Sequence, residues 1–362
     1  MKYQISEGDE VQLIIKLNGN KCNLNCTYCY EKQREYENES EINVKEILQF
    51  VNIFKEMKIG IQLMGGEPLL VGKSKMKEIL KNIHEQNIVT KINIQTNAVL
   101  LDEEWLDILY GEFPKMELGI SLDGDFLANK FRVDYLGRES ITAVENALTL
   151  CTNKKRNIGI ISVVNTNMLH REEEILSYFS RFQCIKGINF LPCIDYKIHT
   201  QSYPKECSIN YKQYYDFIKN IFELWKCKYH NNYIIEPFFS IIRSLYHKKV
   251  SFCQYSQKKC CNIFTLYPKG IIGGCDELPT KYCNYGNLSE IHTLKELQER
   301  QKQIELLYHA KELNKKCNLC NYYESCQEGC IGARLNSLQG NDELEYCYYR
   351  AELINYVRTK IE

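Results

Sequence analysis

The amino-acid sequence predicts an α/β fold: a partial (β/α)6 TIM-like barrel followed by a smaller, cysteine-rich C-terminal domain. Three observations lead there. Short apolar runs alternate with amphipathic helical stretches over residues 1–197, the rhythm of a parallel sheet buried on both faces. Small and polar residues gather where each run ends, and strand C-terminal ends are where such folds carry function. Beyond residue 253 the composition turns to Cys, Gly and Tyr.

The elements follow in order. "VQLIIKLN" (11–18), "IGIQLMGG" (59–66), "KINIQTN" (91–97), "MELGISLD" (116–123), "NIGIISVVN" (157–165) and "KGINFLP" (186–192) read as strands rich in Ile, Leu and Val. Helical periodicity fills the intervals near 43–57, 74–86, 102–110, 139–152 and 171–181. Residues 198–252 form a helical bridging region, with helices over 210–229 and 236–248, and Ser251 to Gln257 makes a boundary loop. The cysteine-rich domain, 253–362, opens with short strands at 262–267 and 271–275.

Composition excludes several classes. A chain of 362 residues with 44% hydrophobic residues buries a real core. Lys and Arg number 46 and so do Asp and Glu, so no global charge argues for a nucleic-acid partner. The 26 tyrosines accompany abundant Lys, Ile and Asn, a compositional bias rather than a platform for stacking bases. No secretory signal pattern is seen and no run approaches the roughly 18 apolar residues of a membrane span, so a cytoplasmic location without a membrane partner is expected. Of the eighteen cysteines, those clustered at short spacings in a reducing compartment read as metal ligands rather than disulfides. Cys151, Cys184, Cys193, Cys207 and Cys227 lack such spacing and are expected to be buried free thiols.

"KCNLNCTYCY" places Cys22, Cys26 and Cys29 in a C-x3-C-x2-C array directly after the first strand. Four cysteines saturate a [4Fe–4S] cluster, whereas three leave one iron open to a ligand, much as a catalytic zinc keeps one position open. The alternative is half of a zinc site. With the aromatic Tyr28 before the third cysteine, the array resembles the signature of the radical S-adenosylmethionine (SAM) superfamily. That resemblance implies a [4Fe–4S] cluster binding SAM and cleaving it to a 5′-deoxyadenosyl radical, with flavodoxin or ferredoxin as electron donor.

The rest of the barrel extends the likeness. Gly65, Gly66 and Glu67 in "GGEP" permit close backbone approach and add a carboxylate suited to an ammonium group, and the resemblance assigns them the SAM amino group. It also assigns Ser121 and Asp123 to the ribose, Arg132 to the SAM carboxylate and Leu191 to adenine packing, where an ordinary strand-end polar cluster is the alternative.

Cys317, Cys320, Cys326 and Cys330 form C-x2-C-x5-C-x3-C, with Cys347 after a gap, and Cys260 and Cys275 lie upstream around Gly270. This is similar to the SPASM extension of radical SAM enzymes, which implies two auxiliary [4Fe–4S] clusters. By that likeness Cys317, Cys320, Cys326 and Cys347 hold one cluster. Cys275, Cys330 and two upstream cysteines hold the other, Cys253 with either Cys260 or Cys261 being the favoured pair, and Cys283 stays unassigned. Two separate zinc sites are the alternative.

"LDGDFLANKFRVDYLGRES", "SVVN" and "INFLPC" resemble peptide- and protein-modifying members, including anaerobic sulfatase maturases, whereas "MGGEPLL" is similar to maturases of ribosomal peptides. The expected function is a peptide maturase that abstracts hydrogen from a ribosomally made peptide and completes an oxidation or cross-link. The alternative is a sulfatase maturase forming formylglycine from Cys or Ser. A non-catalytic iron–sulfur or zinc protein is the remaining class. Only about ten residues precede the first strand, so leader recognition is expected from a separate protein or from the barrel surface. Asp276, directly after Cys275, matches an Asp of the sulfatase maturases, which implies a catalytic base; an ordinary turn aspartate is the alternative.

Overall fold

The computed structural model describes residues 9–33, 40–113, 115–195, 204–256, 260–304, 316–339 and 343–361. Contacts divide the chain into two units. The first comprises Met1–Asn23, Tyr30–Gly119 and Cys260–Glu312, and the second Leu24–Cys29, Ile120–Lys259 and Leu313–Glu362.

In the first unit β1 (Glu10–Lys16) pairs in parallel with β2 (Lys58–Met64), Leu13 opposite Ile61, and β2 in turn with β3 (Val89–Thr96). The helices α1 (Val44–Ile53), α2 (Lys73–His84) and α3 (Glu103–Glu112) alternate with these strands. Local chemistry sets their starts. Asn43 and Glu46 close a reciprocal capping box at 2.9 Å in each direction, and Asp102 accepts from Trp105 N at 2.9 Å. β4 (Met116–Ser121) carries the chain from the first unit into the second.

In the second unit α4 (Ile141–Asn153), β5 (Ile158–Val164), α5 (Glu172–Ser180) and β6 (Ile185–Pro192) continue the alternation, β5 and β6 pairing in parallel. α6 (Tyr211–Leu224) follows, closed by a π-helical turn at Trp225–Tyr229, and then β7 (Ile234–Glu236) and α7 (Phe238–Leu245). The short β7 is not among the strands that the sequence predicts; it joins β6 in parallel, Ile188 opposite Ile235. Phe190 meets Phe217 at 5.5 Å and Phe222 meets Phe238 at 5.0 Å between ring centroids, so α6 buries one aromatic face. Each fully buried Phe contributes about 1.5–3 kcal/mol.

The later strands return to the first unit. β8 (Ile263–Leu266) pairs in parallel with β1, while β9 (Ile271–Gly273) and β10 (Asn284–Asn287) add antiparallel, followed by α8 (Leu294–Lys302). Phe264 on β8 packs on Phe54 at 5.0 Å, so the cysteine-rich segment shares the core of β1 and α1. The second unit ends with α9 (Tyr323–Cys326), α10 (Ile331–Gln339) and α11 (Glu343–Ile361). Among the described residues no helix is long and apolar enough to cross a membrane.

Of the five scattered cysteines, Cys151, Cys184, Cys193 and Cys207 are buried free thiols. Cys227 is exposed, correcting the expectation: it lies between Lys226 and Lys228 in the π-helical turn, where the chain leaves the buried face of α6.

Candidate active site

After β1 the backbone folds onto the backbone after β2. Gly66 N donates to Gly19 O at 2.8 Å and Glu67 N to Lys21 O at 2.9 Å. A Cβ on Gly66 would stand 2.1 Å from Lys21 O, and Gly65 holds φ +137°, so both positions need glycine. This contact delivers Cys22. The Asn97 amide at the end of β3 reaches Cys22 Sγ at 3.7 Å and Asn23 Oδ1 at 2.8 Å.

Glu67 is fully buried, and its carboxylate faces inward. It accepts from Thr96 Oγ1 at 2.6 Å, Asn97 N at 2.7 Å and Leu69 N at 3.0 Å. The side chain thereby ties β3 to the GGEP turn.

In the second unit Cys29 N donates to Cys26 O at 3.2 Å, closing a turn around Tyr28. Tyr28 points into the core, its ring against Cys193, Cys207, Phe131 and Val163 and its hydroxyl donating to Asp123. Burial, reinforced by the Asp123 carboxylate, pushes the phenol well above its ordinary value, so it remains a donor. Asp123 also accepts from Val163 N at 3.0 Å; burial raises its pKa, with Arg132 opposing. Arg132 donates to Tyr28 Oη at 3.2 Å, yet its buried Nε has no hydrogen-bond partner among the described residues. An orphaned guanidinium N–H suits a ligand carboxylate. Ser121 ends β4 half-buried. Leu191 lines a cavity of about 80 Å³ together with Asn189, Tyr214, Tyr255, Tyr346 and Arg350.

Asp276 sits in a buried polar cluster of the first unit that the sequence motifs do not reveal. Lys16, fully buried at the end of β1, contacts Asp276 Oδ2 at 2.9 Å and also pairs with Glu31. Tyr30 Oη donates to the same Asp276 oxygen at 3.1 Å. The signal that could have found it is a lysine closing the buried apolar run Leu13–Ile15, a position that tolerates a charge only with partners.

The remaining cysteines form two sets. Cys260 and Cys275 have thiols hydrogen-bonded to each other in the first unit; that bond, then burial, holds Cys275 well above the ordinary thiol value. Cys261 is buried, and its carbonyl accepts from Gln301 at 3.1 Å. Cys283 is buried against the Tyr285 hydroxyl at 3.5 Å. In the second unit Cys320 N donates to Cys317 O at 3.0 Å, and Cys326 ends α9. Burial pushes the Cys317 thiol up, with Arg334 opposing and Cys326, Glu328 and Cys320 reinforcing. Cys347 is exposed on α11, Cys253 is exposed in a 3-10 turn, and Cys330 N donates to Tyr346 Oη at 2.8 Å. Among the described residues no three Cys, His, Asp or Glu side chains gather tightly enough for a single metal ion. An all-thiol donor set suits an iron–sulfur cluster, in which each sulfur meets its own iron.

Residues 19–179 match the Radical SAM superfamily. The chain is 27% identical over 360 residues to the cysteine-type anaerobic sulfatase-maturating enzyme of Clostridium perfringens strain 13, covering 96% of each. It is 25% identical over 350 residues to the serine-type enzyme of Klebsiella aerogenes, covering 93% of this chain and 83% of that one. Among solved structures, native anSMEcpe with bound AdoMet and Cp18Cys peptide matches with a TM-score of 0.76 at 24% identity, over 97% of this chain and 100% of that one. Streptococcus suis SuiB matches with a TM-score of 0.63 at 16% identity, over 90% and 74%. The fold is the α/β partial barrel with a cysteine-rich C-terminal domain that the sequence predicts.

Proposed function

We propose, on the premise that this chain is a radical SAM maturase, that it oxidises the β-carbon of a Cys or Ser residue in a polypeptide substrate to the aldehyde of formylglycine. Similarity along nearly the whole chain to both the cysteine-type and the serine-type sulfatase-maturating enzymes supports this chemistry. A [4Fe–4S] cluster with bound SAM supplies, when present, a 5′-deoxyadenosyl radical that takes a hydrogen atom. Cys22, Cys26 and Cys29 would hold that cluster, the Gly65–Gly66 backbone would meet the SAM amino group, and the orphaned Arg132 Nε would meet its carboxylate. Ser121 and Asp123 would face the ribose, with Tyr28 fixing Asp123, and Leu191 would pack on adenine.

After hydrogen-atom removal, the substrate radical must lose one proton and one electron, the latter to a one-electron acceptor, a role an auxiliary iron–sulfur cluster would fill. Serine then gives the aldehyde directly, whereas cysteine gives a thioaldehyde that takes up water and releases hydrogen sulfide. The observation that carries the reading is the Asp276 carboxylate, fixed by Lys16 and Tyr30 beside Cys275. A held carboxylate takes the proton without reorganising. Asp276→Asn keeps the shape and leaves Glu31 to pair with Lys16. It should still form 5′-deoxyadenosine while product per 5′-deoxyadenosine falls about 10²-fold or more. An unchanged ratio would return Asp276 to an ordinary turn residue.

Peptide cross-linking or oxidation, the reading "MGGEPLL" suggests, shares every step up to the fate of the substrate radical. Mass spectrometry of a sulfatase, and of a short peptide encoded nearby, after coexpression separates the two. Formylglycine at a cysteine loses two hydrogens and exchanges sulfur for oxygen, and at a serine loses two hydrogens but leaves an aldehyde that a hydrazine traps, whereas a cross-link loses two hydrogens and leaves no aldehyde. No change in either polypeptide would count against the substrate class. The two auxiliary clusters belong to the same proposal. In Cys320→Ala the iron of one cluster should be lost and the melting temperature lowered, because loops with little apolar core draw folding energy from their metal; unchanged iron and melting would remove Cys320 as a ligand.

A further inference from the structure

We infer that Arg350 is an electronic tuning residue for the auxiliary centre of Cys317, Cys320, Cys326 and Cys347, raising its reduction potential through a hydrogen bond to the Cys326 sulfur. The inference rests on the assignment of those four cysteines to one cluster.

Arg350 lies on α11 one turn after Cys347, so both residues share a helix face. It is 8% exposed, an expensive place for a cation that packing alone does not require. Its Nε donates to Cys326 Sγ at 3.0 Å, and Nη2 donates to Cys326 O at 3.1 Å and to Gln254 O. The guanidinium also stacks on Tyr255, 3.7 Å from the ring centroid. Ring, carbonyls and sulfur together fix the orientation of the fork, so the N–H directed at sulfur is held there rather than sampled.

A guanidinium stays protonated at any pH a protein survives. Hydrogen bonds to ligand sulfurs and nearby positive charge favour the more negative, reduced form of an iron–sulfur cluster and raise its potential. Arg334, only 3% exposed and acting on Cys317, adds charge of the same sign. If Arg350 were only a staple between the 253–255 turn and α9, its two carbonyl bonds would suffice and the sulfur bond would have no electronic consequence.

Redox titration of the holoenzyme, followed by electron paramagnetic resonance, tests this in wild type, Arg350→Lys and Arg350→Gln. In the Gln variant the reduced-to-oxidised ratio at the wild-type midpoint should fall about tenfold, a downward shift of ~59 mV for a one-electron couple, with Lys intermediate. A cluster-bearing Gln variant with the wild-type midpoint would overturn the inference. Should both variants fail to assemble the cluster, the deciding measurement is on wild type grown with arginine labelled in its guanidino nitrogens. A hyperfine coupling from labelled nitrogen to the reduced auxiliary cluster supports the contact, and its absence refutes it. Separately, Cys326→Ala with undiminished iron would remove the ligand assignment itself.

Discussion

Changing Cys22, Cys26 and Cys29 together to Ala should abolish SAM cleavage, to the level seen without enzyme, and remove the iron of one cluster while the C-terminal iron stays. On the proposed assignment the three cysteines are the whole donor set of the N-terminal array, and each thiolate would bind one iron of the cube. No neighbouring carboxylate replaces them well, because iron–sulfur clusters favour soft thiolate ligands. The surrounding fold should survive, since its contacts are made by others: the loop after β1 is pinned by Gly19 and Lys21 carbonyls, and Tyr28 by Asp123 and Arg132. Two measurements decide it, iron per chain and 5′-deoxyadenosine under strong reduction. Continued 5′-deoxyadenosine formation by the triple variant would mean that the catalytic centre lies elsewhere.

Lys16→Met should destabilise the fold by about 3–5 kcal/mol, because removing one partner of a buried ion pair leaves the others uncompensated. Lys16 is fully buried, and the Glu31 and Asp276 side chains are 4% and 13% exposed, so water cannot take over its role. For a chain of this size that corresponds to a melting temperature lower by on the order of 10 °C. Met matches the stem of Lys closely in volume, so the loss reads charge rather than a cavity. Adding Glu31→Gln to Lys16→Met should recover part of the deficit by removing one stranded carboxylate. If Lys16→Met melts with the wild type, the network contributes nothing and Asp276 is positioned by other means.

Much of this was legible in the chain itself. Strands rich in Ile and Leu and the apolar stripes of α1 to α5 follow from local periodicity, so their positions match the structure to within a few residues. The cysteine arrays are equally local: a C-x3-C-x2-C loop brings its thiols near one another whatever the rest of the chain does. Glu67 was less transparent. Its place in GGEP is visible, but its three donors come from β3 and the following turn, and only the fold turns the carboxylate inward.

What the sequence determined by itself is therefore the α/β rhythm, the thiol-rich chemistry and the glycines that let backbone approach backbone, because each depends on neighbours a few residues away. Tertiary structure decided which distant groups meet. Lys16 finds Asp276 across 260 positions, and Arg350 finds Cys326 across 24. No periodicity encodes such pairs, since a buried charge is stable only where the fold supplies its partner.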